Sequence, residues 1–82
     1  MDNNIFIKQA KNLVSKWYEI SENKKVNTDD LYVVWLNKII KNNKAMIGCV
    51  LPEEVRYFEI TWDGQAEKMY LDVYEKEDKM IF

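Results

Sequence analysis

The chain contains no histidine, one cysteine, one proline and two glycines in 82 residues. Without histidine, most metal sites, Ser–His and Cys–His nucleophile systems and the easiest neutral-pH proton shuttle are excluded. The lone Cys49 makes no intrachain disulfide. It sits in the apolar run Met46-Ile47-Gly48-Cys49-Val50-Leu51, so it reads as a small buried hydrophobe in a reduced, intracellular protein. No neighbour supplies the electropositive, partly exposed setting of a reactive thiol. No apolar run approaches the roughly 20 residues that span a bilayer. The opening Met1-Asp2-Asn3-Asn4 lacks the basic-then-apolar order of a signal peptide. A soluble, cytoplasmic protein is expected.

Catalytic signatures are missing too. There is no GxGxxG, P-loop, HExxH or CxxC spacing. The candidate nucleophiles Ser15, Ser21, Thr28, Thr61 and Cys49 have no histidine to activate them. Adjacent carboxylates (Asp29/Asp30, Glu53/Glu54, Glu77/Asp78) point apart on a helix or strand, which suits capping and surface roles rather than a divalent-ion cage or a glycosidase pair. We therefore expect no enzyme activity, no cofactor and no metal.

What is present is the composition of one globular domain spanning residues 1–82. Hydrophobic residues make up 48 % and charged residues 32 %, with 12 Lys+Arg against 14 Asp+Glu for a net charge of −2. A chain of this size buries roughly 60–65 % of its unfolded surface on folding. Residues 4–21 read as a first helix. Phe6, Ala10, Leu13 and Trp17 form its apolar stripe, Ile7, Val14 and Tyr18 widen it, and Asp2, Asn3 or Asn4 caps its start. The polar stretch 21–27 reads as a loop. A second helix is expected from Thr28, with Asp29 and Asp30 favoured on its first turn. Its apolar members Leu31, Tyr32, Trp35, Leu36, Ile39, Ile40, Met46 and Ile47 cover about half the helical circumference. Gly48 and Pro52 mark its end.

From Val55 the period becomes two. Phe58, Ile60 and Trp62 alternate with Tyr57, Glu59 and Thr61; Met69, Leu71 and Val73 alternate with Lys68, Tyr70, Asp72 and Tyr74. Asp63-Gly64 signals a hairpin turn. A four-residue loop from Asp63 to Ala66 keeps both apolar sets on one face and pairs Ile60 with Met69. The run 75–79 reads as a solvated turn, and Met80-Ile81-Phe82 as either a short third strand or a tail docked on the core. The expected class is α+β, with two N-terminal helices packed on one face of a C-terminal antiparallel β-hairpin.

Two surfaces are candidates for binding. The polar hairpin face gathers Tyr57, Tyr70 and Tyr74 with Glu59 and Asp72, an aromatic-rich patch of the kind favoured at protein interfaces. Residues 49–82 carry nine acids and four bases, which suits a basic protein surface rather than nucleic acid. The alternative is a phosphate-tracking row, Lys38, Lys41 and Lys44, on the second helix. A homodimer through the tyrosine face or through the wide apolar arc of the second helix is a third arrangement.

The segments Phe6-Ile7-Lys8-Gln9-Ala10-Lys11, Leu31-Tyr32-Val33-Val34-Trp35, Lys44-Ala45-Met46, Tyr57-Phe58-Glu59-Ile60-Thr61-Trp62-Asp63-Gly64 and Tyr70-Leu71-Asp72-Val73-Tyr74 form a pattern over nearly the whole chain. It resembles a family of short proteins of unknown function encoded by phages, prophages and integrative elements of low-GC Gram-positive bacteria. The pattern departs at Asn43, where an aromatic residue is expected. The resemblance implies a mobile-element accessory protein in a bacterial cytoplasm and no catalytic residues. Together these readings lead to a non-enzymatic module that binds a host or phage protein, such as a defence or replication factor that it would inhibit.

Overall fold

Asp2 opens the helix. Its Oδ1 accepts from the backbone N–H groups of Asn4 and Ile5 at 2.8 and 3.3 Å, satisfying donors that no helical carbonyl reaches. The helix, α1, runs Asn3–Glu22 and ends where Asn23 turns left-handed at φ 49°. Phe6, Ala10, Val14 and Tyr18, spaced by four, are fully buried, while Ile7, Leu13 and Trp17 flank them half-buried. The computed structural model describes residues 1–75 of the chain.

The second helix is not formed. After a single 3₁₀ turn (Thr28–Asp30) the chain enters β1 (Leu31–Ile39), reverses, and returns as β2 (Asn42–Cys49). β3 (Arg56–Asp63) and β4 (Lys68–Glu75) follow, giving one four-stranded antiparallel sheet in the order β1-β2-β3-β4. The protein is α+β, but one helix covers a four-stranded meander where two helices over a hairpin were expected. Three features explain the difference. Leu31-Tyr32-Val33-Val34-Trp35 is rich in β-branched and aromatic residues, which fit a pleated surface better than a helix. A β-bulge between Val33 and Trp35 reverses the inside–outside alternation, so β1 shows no clean period of two. The reversal at Ile40-Lys41 contains no glycine; Ile40 itself takes a positive φ of 55°. The wide arc on the helical wheel is thus a pair of strands, of which β1 carries apolar side chains on both faces.

The helix-facing layer of the sheet consists of Leu31 from β1, Asn43, Ala45, Ile47 and Cys49 from β2, and Phe58 and Ile60 from β3, with Trp62, Met69 and Leu71 at its margin. Trp17, Tyr18 and Phe58 meet edge to face with ring centroids 5.2–5.3 Å apart. Burial pushes the Cys49 thiol pKa up, so the cysteine stays protonated among apolar neighbours. Asn43, at the position where an aromatic was expected, is buried and donates to the Met1 carbonyl and to Asn3 Oδ1 at 2.9 and 3.0 Å. It fastens the start of α1 to the second strand.

The β3–β4 turn has four residues, but they are Gly64–Glu67, one position later than expected. Asp63 is held at the strand end because its Oδ1 accepts from Gln65 and Ala66 N–H, both at 3.1 Å, and Glu67 takes the left-handed conformation at φ 53°. The register shifts by two accordingly. Ile60 opposes Leu71 rather than Met69, and parity, hence the facing of every side chain, is unchanged. The expected third strand or docked tail at Met80-Ile81-Phe82 lies outside the described residues.

Candidate functional site

One face of the sheet carries α1. No described residue covers the other. Strand register builds that open face in rows. The first crosses Tyr32, Gly48, Tyr57 and Tyr74; the second Trp35, Met46, Glu59 and Asp72; the third Asn37, Lys44, Thr61 and Tyr70. Tyr57, Glu59, Tyr70, Asp72 and Tyr74 therefore share one surface, and Tyr70 and Tyr74 are about half exposed, at 48 % each.

Tyr32, Trp35 and Met46 extend this surface from the strands that were expected to be helical. The available signal was the aromatic, β-branched run Leu31-Tyr32-Val33-Val34-Trp35, which contains the first two. The ring of Tyr32 lies over Gly48, where an added Cβ would come within 2.5 Å of the ring carbon Cζ. Glycine leaves the backbone bare under an aromatic ring, which covers it from the neighbouring strand.

At the centre, Glu59 and Asp72 oppose each other on adjacent strands. Like charges directly across a ladder destabilise it. Lys44 Nζ, 3.2 Å from Glu59 Oε1, compensates one carboxylate. Asp72 has no ion-pair partner among the described residues. The face thus sets Asp72 between Tyr70 and Tyr74 on its own strand, with Trp35 three strands away in the same row, and rings beside a carboxylate suit guanidinium and ammonium groups.

The lysine row is dispersed. Lys38 lies on the helix-facing side of β1 opposite Asn43, Lys41 is in the turn, and Lys44 lies on the open face engaged with Glu59. A spacing of three aligns side chains on a helix but scatters them on strands. Among the described residues these three lysines form no continuous row.

A second polar cluster lies at the far end of α1. Tyr18 Oη donates to Glu54 Oε2 at 2.7 Å, and Lys24 Nζ reaches Glu54 Oε1 at 2.6 Å and Glu53 Oε1 at 3.2 Å. Arg56 pairs with Glu22 at 2.6 Å and stacks over Trp17, 5.3 Å from its centroid. Burial pushes the Glu54 pKa up, but the Lys24 and Tyr18 hydrogen bonds and the nearby cations outweigh it and hold the carboxyl below its usual range. Burial, then the bond to Glu54, pushes the Tyr18 phenol well above its usual 10.0. Every group here is engaged within the protein, so the cluster joins helix to sheet rather than forming an open site. Among the described residues no group of three His, Cys, Asp or Glu side chains is placed to hold a metal ion.

These features define a small α+β protein, one helix on a four-stranded antiparallel meander whose other face is aromatic and uncovered by described residues. The chain belongs to a family of unknown function, DUF6275, whose family model matches residues 7–82. No curated protein and no solved structure matches it. No helix among the described residues is long and apolar enough to cross a membrane.

Proposed function

We propose that this protein is a non-enzymatic accessory protein of a phage or other mobile element of low-GC Gram-positive bacteria. It works in the bacterial cytoplasm by binding another protein, with inhibition of a host defence or replication factor as its role. The partner is a protein surface presenting arginine or lysine side chains. The observation that carries this reading is the Glu59–Asp72 pair at the centre of an aromatic face. Two opposed carboxylates weaken the isolated sheet, and a partner's cation set between them relieves the repulsion while its stem packs beside Tyr70 or Tyr74. The mobile-element context is supported by the resemblance of the Val-Val-Trp segment and the tyrosine-rich hairpin. The absence of histidine supports a non-enzymatic role.

The test compares the wild-type protein with Tyr70→Ala/Asp72→Lys as bait in bacterial lysate split into nuclease-treated and untreated halves. All the altered side chains are exposed, so the variant keeps its fold. The expected result is a protein retained by wild type, lost from the variant, and released as salt rises. Equal retention by the variant, or retention that disappears with nuclease, overturns the proposal.

A further inference from the structure

The two edges of the sheet are protected unequally. β4 carries Lys68, Asp72 and Glu75, charges that discourage another strand from pairing with it. β1 has nine residues, no proline and a single charge, Lys38. Its apolar side chains lie on both faces. Tyr32 and Trp35 are on the open face, Val33 and Leu36 on the helix side, and each is more than a third exposed, as is Val34 at the bulge. An edge of this kind exposes a row of backbone donors and acceptors between two apolar surfaces, a template for one more strand.

The charges around β1 select the occupant. Asp29 and Asp30 precede the strand, and Lys38 and Lys41 close it. Antiparallel pairing of two copies lays each acidic end beside the other's basic end, whereas parallel pairing would set like charges together. The bulge selects the register. Because it reverses side-chain alternation, an axis between Val34 and Trp35 brings same-face residues together, with Tyr32 opposite Asn37 and Val33 opposite Leu36.

We propose that β1 pairs antiparallel with β1 of a second copy about a two-fold axis at the Val34 bulge. The dimer is a continuous eight-stranded sheet with both helices on one side and both open faces side by side on the other. This rests on the edge of the sheet and is independent of which partner the open face binds.

Sedimentation equilibrium of the full chain at micromolar concentration reads the assembly directly, the expected mass being twice the 9.9 kDa protomer. Val34→Lys/Leu36→Lys is expected to weaken association roughly hundredfold by setting charges into the pairing zone. Both side chains are exposed, so far-UV circular dichroism stays unchanged. Charge reversal supplies a second arm that does not depend on those two positions. Asp29→Lys/Asp30→Lys alone and Lys38→Glu/Lys41→Glu alone are each expected to be monomeric, and mixing the two restores a dimer. Tyr70→Ala/Asp72→Lys leaves association intact. A monomeric wild type, folded charge variants that do not associate on mixing, or loss of the dimer in the Tyr70/Asp72 variant overturns the proposal.

Discussion

Replacing Glu54 by alanine strips the buried Tyr18 hydroxyl of its acceptor, and the structure says how much that costs. Tyr18 is fully buried and Glu54 is 9 % exposed, so water does not readily replace the lost carboxylate. Leaving a buried hydroxyl unpaired costs about 1–3 kcal/mol, and hydrogen bonds to a charged group lie at the upper end. The two cations lose less, because Arg56 keeps Glu22 at 2.6 Å and Lys24 keeps Glu53 at 3.2 Å. The expected destabilisation for Glu54→Ala is about 2–3 kcal/mol, a fall in Tm of roughly 10–20 °C for a domain of this size. Tyr18→Phe keeps the ring and leaves Glu54 with Lys24, so it should cost only about 1 kcal/mol. Once the hydroxyl is gone, removing Glu54 orphans nothing on the helix. The double variant should therefore be more stable than the sum of the singles by about 1–2 kcal/mol. Urea denaturation followed by tryptophan fluorescence suits the measurement, since Trp17 stacks against Tyr18 and under Arg56. A Glu54→Ala variant within about 0.5 kcal/mol of wild type, or strict additivity in the cycle, would refute the reasoning.

The same pair fixes the pH response. The Glu54 pKa is lowered by folding, so its contribution is fully present above the ordinary carboxylate value and is lost as pH falls through the folded one. The Tyr18 pKa is raised, so above its unfolded value of 10.0 the unfolded chain ionises first and stability drops as pH climbs. Denaturation midpoints at acid, neutral and alkaline pH check both arms; with Tyr18→Phe the alkaline fall should shrink. At Ile40, a β-branched residue at φ 55° and almost fully exposed, Ile40→Gly should raise stability by roughly 0.5–1 kcal/mol; a lower Tm contradicts this. Gly64→Ala would drive a Cβ into the Lys41 carbonyl oxygen, a backbone atom that cannot step aside. It should cost at least about 2 kcal/mol, whereas Gly48→Ala meets only the tip of the Tyr32 ring, which can swing away, and should cost under about 1 kcal/mol. Thermal melts that rank the two glycines in reverse would remove the close-approach argument.

What the sequence determined by itself is local and periodic. The apolar stripe of α1, a polar cap at Asp2, Asn3 or Asn4, and the alternation of β3 and β4 are properties of short segments. They place Tyr57, Glu59, Tyr70, Asp72 and Tyr74 on one face whichever even shift the hairpin register takes, because parity survives such a shift. Leu31 to Cys49 was beyond that reach. The bulge at Val34 hides the period of two, Ile40 occupies a turn position where glycine is expected, and lysines three apart imitate a helical face. Only tertiary structure decided this segment. Its apolar residues need β3 alongside them to complete a ladder and Phe6, Ala10, Val14 and Tyr18 above them to bury one face. That decision scattered Lys38, Lys41 and Lys44, brought Tyr32 and Trp35 to the tyrosines, and left β1 at an edge of the sheet. A strand acquires neighbours, and therefore faces and edges, only in the folded sheet, whereas a helix carries its faces within its own sequence.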